Sequence, residues 1–193
     1  MLPLWIKLAY TLFVVITVAV YSVKYGLTNF LWFSDIAMVA TVPALWLESS
    51  LLASMMTLGI LLPEVFWNVA YFGRLATGKR IAGLTDYMFD RQKPIYLRSL
   101  SLFHVFLPPL LLWMIGRLGY AQHALLAQTI LAWIVLPLTY WLSSPNENIN
   151  WVYGPGTKPQ KSMSPLSYLV LLMIFFPVCV YFPTQVLIKK LFQ

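Results

Sequence analysis

The sequence predicts an all-α protein, a polytopic transmembrane bundle of about six kinked helices, and three observations lead there. Of the 193 residues, 60% are hydrophobic and only 10% are charged, whereas a soluble domain carries roughly 25% charge. The mean hydropathy is +0.76, so too few polar side chains are available to cover a water-facing surface. The apolar residues also fall in continuous runs rather than in strict alternation, which disfavours a β-barrel. Together these exclude a soluble domain, a disordered tail and a disulfide-rich secreted module.

A span needs about 20 residues, with a usual range of about 17–25. The first expected span runs from Leu4 to Ser22, with Lys7 snorkelling to the interface. It has no basic segment before it and no small-residue cleavage site after it, so a retained span is expected rather than a signal peptide. The second runs from Phe30 to Leu47, and the third from Leu51 to Phe72 with Glu64 inside it. The fourth runs from Ser99 to Ile115, the fifth from Ala124 to Leu142 and the sixth from Pro165 to Ile188. Pro43, Pro63, Pro108, Pro109, Pro137, Pro177 and Pro183 fall in or near these spans. Each removes a helix hydrogen bond and bends the axis, so a kinked bundle around a cavity is expected. Residues 1–193 read as a single integral membrane domain without an internal repeat.

The net charge of +7 belongs to loops, not to a nucleic-acid surface. With six spans, the loops after spans one, three and five share a face. That face carries nine basic residues: Lys24, Arg74, Lys79, Arg80, Arg91, Lys93, Arg98, Lys158 and Lys161. The face with the termini carries four: Lys7, Arg117, Lys189 and Lys190. The excess places the odd loops in the cytoplasm and the termini outside a cell inner membrane. The lone cysteine, Cys179, builds neither a disulfide nor a thiolate metal site.

Ionisable groups inside spans are costly and usually mark a site. Here they are Asp35, Glu64 and His104, accompanied by Asn29, Ser34, Asn68 and Ser101. By helix rise, Ser34 and Asp35 lie about 6–8 Å, and His104 about 8 Å, from the odd-loop ends of their spans. Glu64 lies about 12 Å and Asn68 about 6 Å from the same end of span three. Three helices thus bring polar groups to one depth. The segment Pro145–Trp151 adds Asn148 and Asn150 on the same face. Each residue also has an architectural reading. Ser34 can bond its own helix carbonyls, Asp35 can pair with Arg98 or Lys24, Glu64 can pair with Arg74 or with a loop arginine, and His104 can simply bridge helices. The abundant Trp and Tyr fit interfacial anchoring and receive no ligand role.

The residue types permit nucleophilic catalysis, with Ser34 attacking, His104 as base, and Asp35 or Glu64 orienting or charge-stabilising. Asn29, Asn68, Ser101, Asn148 and Asn150 are the expected substrate or oxyanion contacts. His123 lies on the other face, and no metal-binding spacing is present, so neither a metal nor another cofactor is expected. Asn29–Ser34, followed by His104 in span four, resembles the pattern of the androgen-induced/FAR-17a-like intramembrane hydrolases. There an Asn precedes a nucleophilic Thr by five residues; here Ser34 takes that place. The second half resembles the bacterial YwaF-type integral membrane proteins in His104 near the start of a span, in Asn150–Gly154 and in Lys158–Pro159. The overall likeness is to bacterial membrane-associated proteins of unassigned activity. The resemblance implies ester or acyl chemistry on a lipid, hence a lipid hydrolase or acyltransferase. Two other classes remain: a lipid- or pigment-binding subunit of a larger membrane complex, and a small transporter. Membrane lipids are the expected partners, with homo-oligomerisation left open.

Overall fold

The structure is a computed structural model and describes residues 1–81, 83–156 and 159–192. It is all-helical and bundle-like. In chain order the helices are α1 (Leu4–Lys24), α2 (Phe33–Trp46), α3 (Ser50–Thr77), α4 (Asp86–Phe89), α5 (Ile95–Leu100), α6 (Phe103–Leu118), α7 (Ala124–Leu142), α8 (Pro165–Phe175) and α9 (Phe182–Phe192). Short 3-10 turns cover Leu27–Leu31 and Ile149–Trp151, and a π-helical turn, Phe176–Tyr181, joins α8 to α9.

Five segments are long and apolar enough to cross a membrane: α1, α3, α5 with α6, α7, and α8 through α9. The sixth, α2, has 14 residues, a rise of about 21 Å against a hydrocarbon core of about 30 Å. The preceding 3-10 turn and the long loop before α8 cover its short end.

Contacts at the two ends fix the alternation of the helices. At one end, Lys7 Nζ lies 2.8 Å from Glu48 Oε1 in the α2–α3 turn. The Ala121 amide donates to Ser54 Oγ at 3.0 Å, and Lys189 lies over the Tyr120 ring. At the other end, Thr28 donates to Glu147, and Lys93 lies over Tyr25 and Tyr87. The odd loops therefore share a face, as the six-span reading requires. Lys158 lies outside the described residues. Lys7 is 8% exposed, its ammonium reaching the α2–α3 turn, where Glu48 pairs with it.

Capping chemistry sets several helix limits. Ser49 Oγ accepts from the Leu52 amide at the start of α3, and Gly78 ends that helix at φ 71°, a left-handed position that suits glycine. Ser164 caps α8 ahead of Pro165. The third span is longer than expected: α3 continues to Thr77, and its last turn leaves the bundle to ion-pair Arg74 with Asp86 at 2.6 Å. Its long apolar flank lies at the centre, touching α2, α6, α7 and α9.

The helices continue through Pro43, Pro63, Pro108, Pro109 and Pro137, and Pro177 lies in the π-helical turn that joins α8 to α9. Each proline lacks an N–H, so the carbonyl four residues earlier loses its helical donor. Two of those carbonyls are served by a neighbouring helix. Pro177 frees the Met173 carbonyl, and Trp133 Nε1 of α7 donates to it at 2.8 Å. Pro108 frees the His104 carbonyl, and Asn68 Nδ2 of α3 donates to it at 2.8 Å. In lipid, where water is absent, such substitute donors are what make prolines tolerable.

Candidate functional site

The centre of the site is a carboxylate–imidazole pair between α3 and α6. Both carboxylate oxygens of Glu64 lie 2.8 Å from His104 Nδ1. Glu64 is 3% exposed, and the His104 side chain is 13% exposed. A carboxylate facing Nδ1 fixes that nitrogen as the donor and leaves Nε2 as the available lone pair of the neutral ring. The ring is also clamped. Trp67 stacks on it with centroids 4.6 Å apart, and Phe103 stacks at 4.1 Å. Trp67 sits one turn after Glu64 on α3, so one helix face supplies both the acid and the aromatic wall.

Asn68 completes the joint. Its amide nitrogen donates to the Glu64 carbonyl and to the His104 carbonyl, each at 2.8 Å. The second bond occupies the vacancy that Pro108 creates, so Asn68 locks α3 to α6 at the level of the pair.

Asp35 enters from α2. It is 4% exposed, within electrostatic reach of His104 and Glu64. Asn29 Nδ2 donates to its Oδ2 at 3.2 Å, while its Oδ1 is buried without a partner among the described residues. Asp35 also lines a 430 Å³ groove with Val18, Phe30, Ile36, Val39, Ala40 and Pro43. A neighbouring 480 Å³ groove continues between α1 and α2 past Val14, Val15 and Val42. An open apolar groove between two helices thus has a buried acid in its lining.

Asn150 decides where Asp35 sits. Its Oδ1 accepts from the Phe33 amide at 3.0 Å, and its Nδ2 donates to the Leu31 carbonyl at 2.7 Å. A residue 117 positions away therefore does the work of an N-cap, satisfying an amide that α2 cannot serve itself. Asn150 adopts φ 51° and Asn148 φ 42°, left-handed positions that asparagine tolerates better than most residues.

Several sequence expectations change at this point. Asn68, Asn148 and Asn150 were expected to contact substrate, but their amide hydrogens are committed. Asn148 Nδ2 donates to the Gly154 and Gly156 carbonyls, each at 2.8 Å, and Asn150 Nδ2 also reaches Thr139 Oγ1. These residues hold backbone in place because each faces carbonyls that proline, turns or short helices leave unpaired. Ser101 shares a 2.7 Å hydrogen bond with the Tyr21 hydroxyl and so ties α1 to the α5–α6 junction. Of the architectural readings, the one for His104 agrees with the structure, since its ring bridges α6 to Glu64 of α3, whereas the others do not. Arg74 bonds Asp86 rather than Glu64, and Asp35 takes Asn29 rather than Arg98 or Lys24. Among the described residues Ser34 makes no bond to its own helix carbonyls of the kind that Thr17, Thr41 and Thr57 make. Among the described residues no hydrogen bond joins Ser34 to His104.

Sequence reasoning missed the aromatic frame. Trp67 and Phe103 bracket His104, and Tyr87 of α4 lies over the same region, close to Trp67, Ser101, Tyr21 and Glu64. Burial pushes the Tyr87 phenol well above its ordinary pKa, so it faces the site as a neutral hydroxyl. The only signals were the i,i+3 spacing of Glu64 and Trp67 and the adjacency of Phe103 to His104. No group of three or more metal-ligating residues occurs among the described residues. No family model, no curated protein and no solved structure matches the chain.

Proposed function

We propose that the chain is an intramembrane lipid hydrolase or acyltransferase, with its chemistry at the odd-loop end of the bundle. The observation that carries this reading is the Glu64–His104 hydrogen bond beside Asp35, which lines an apolar groove between α1 and α2. Glu64 orients the ring through Nδ1 and balances charge when Nε2 takes a proton. Ser34, carried beside Asp35 at the same end of α2, is the proposed nucleophile. Attack of Ser34 Oγ on a lipid ester carbonyl forms the C–O bond and sends the hydroxyl proton to His104 Nε2. That proton then passes to the departing alcohol. Water, deprotonated by the same base, releases the acid in a hydrolase; a second alcohol takes the acyl group in an acyltransferase. The groove accommodates the acyl chain. Asn29 is the proposed oxyanion donor, since one of its amide hydrogens remains after the bond to Asp35. The resemblance of Asn29–Ser34 and His104 to the androgen-induced hydrolases supports the same assignment.

The test is a fluorophosphonate probe together with ester turnover on the protein in nanodiscs. Ser34→Ala is expected to abolish labelling. His104→Ala and Glu64→Gln are expected to lose most turnover, and the double variants little more, because groups acting as a unit are not additive. Folded protein that keeps full turnover after His104→Ala refutes the mechanism.

A second reading, a lipid- or pigment-binding subunit of a membrane complex, is favoured by one observation: among the described residues Ser34 has no hydrogen bond to His104. It predicts lipid binding without labelling or turnover. In both readings the nine-to-four basic asymmetry supports odd loops in the cytoplasm of an inner-membrane protein. Gln92→Cys and Gln122→Cys, each with Cys179→Ala, are expected to label from the inside and the outside respectively.

A further inference from the structure

The loop carrying α4 and α5 holds more cations than the chain neutralises there. Arg74 and Arg80 both bond Asp86. Arg98 and Lys93 differ. Arg98 donates through a terminal nitrogen to the Met88 carbonyl at 3.1 Å, and its Nε is buried with no partner among the described residues. Lys93 Nζ sits 5.2 Å from the Tyr25 ring centre and 5.6 Å from that of Tyr87. Among the described residues neither cation has a carboxylate within ion-pair distance.

Their placement relates them to the site below. Tyr87, which Lys93 covers, borders Trp67, Ser101 and Glu64. Arg98 lies on α5, six positions before His104 in one continuous span. Ile95 and Tyr96, at the start of α5, are 73% and 48% exposed, as expected of the first turn of a span where it meets the membrane interface. Arg98, bonded to the Met88 carbonyl, and Lys93, over the ring of Tyr87, thus both contact α4, which borders the buried acid–base pair.

We propose that Arg98 and Lys93 form a phosphate-binding subsite that receives the head group of an anionic phospholipid whose acyl chain occupies the α1–α2 groove. Guanidinium and ammonium groups suit phosphate oxygens through charge-assisted hydrogen bonds. Cation–π contact holds Lys93 in place without neutralising it. This subsite deepens the lipid-enzyme reading and rests on it for the position of the acyl chain, but its test reads binding alone.

The experiment measures binding of dioctanoyl phosphatidic acid to the full chain in phosphatidylcholine nanodiscs, with dioctanoylglycerol and inorganic phosphate as parallel ligands. Phosphatidic acid is expected to bind at least about tenfold more tightly than dioctanoylglycerol, the scale of one charge-assisted hydrogen bond. Arg98→Gln and Lys93→Gln are each expected to remove most of that preference, while Lys190→Gln, on the opposite face, leaves it. Lys93 is only half-buried, so its variant tests the subsite without the folding risk of Arg98. Inorganic phosphate that competes, with the same dependence on Arg98, supports the subsite with free phosphate as its source; failure to compete supports the lipid. His104→Ala is expected to retain the preference, so loss of the catalytic reading leaves this result standing. Equal binding of phosphatidic acid and dioctanoylglycerol, or an equal loss in Lys190→Gln, overturns the proposal.

Discussion

Replacing Asn68 by leucine separates an architectural amide from a substrate-binding one. Asn68 donates to the Glu64 and His104 carbonyls at 2.8 Å each. The Glu64 carbonyl keeps its helical donor, the amide of residue 68 itself. The His104 carbonyl has no such reserve, because the residue four positions on is Pro108. Asn68→Leu therefore leaves one buried acceptor unpaired, at a cost of about 1–3 kcal/mol. Interhelical hydrogen bonds within membranes average about 0.6 kcal/mol and reach about 1.7, so about 1–2 kcal/mol is expected. Pro108→Ala restores an N–H at the position that would serve His104. In the Asn68→Leu/Pro108→Ala double variant the loss should shrink, with a coupling of about 1 kcal/mol. Equilibrium unfolding in mixed micelles measures all four corners of the cycle. If the two losses simply add, the vacancy left by Pro108 does not explain Asn68. Turnover adds a second readout. Restored stability with restored turnover marks Asn68 as a positioning residue, and restored stability without turnover marks it as a substrate contact.

Three further predictions follow from contacts at other sites. Asn150→Ala should cost about 0.5–2 kcal/mol, the scale of a lost cap, since asparagine and alanine carry the same Cβ at φ 51°; Asn150→Gly, which removes that Cβ from left-handed backbone, should cost less in the same unfolding assay. A Cβ on Gly59 would stand 2.7 Å from Gln128 Nε2, and Gln128 is 1% exposed, so Gly59→Ala should cost about 1–3 kcal/mol, with Gln128→Ala relieving part of it. The Lys7 ammonium, with the Leu2 amide, holds the Glu48 carboxyl below its ordinary pKa. A depressed carboxylate pKa stabilises the fold above the unfolded value of about 4.3 and loses that contribution as pH falls through the folded value. Stability of Glu48→Gln measured from pH 7 to pH 3 should therefore fall less steeply than that of the parent, and parallel curves would refute the assignment.

The sequence by itself determined the fold class, an all-helical bundle with long apolar helices, and the order in which the polar residues follow along those helices. Those properties follow from local chemistry. Apolar run length sets a span, and rise per residue sets how far along their helices Asp35, Glu64 and His104 lie. Rotation about each helix axis was left open. Whether Glu64 faced His104 or Arg74 depended on where α3 lay against α6, and its extension past residue 72 drew Arg74 away to Asp86. The tertiary structure alone decided the partners of the asparagines, because each serves a carbonyl or amide that belongs to another element. Nothing local to Asn150 shows that α2 begins without a cap of its own. The vacancy at His104 is legible four residues on, at Pro108, but the donor that occupies it comes from 36 residues away. A proline announces a missing hydrogen bond in the sequence, and only packing decides which neighbouring side chain supplies the substitute, since in lipid no water is present to do so.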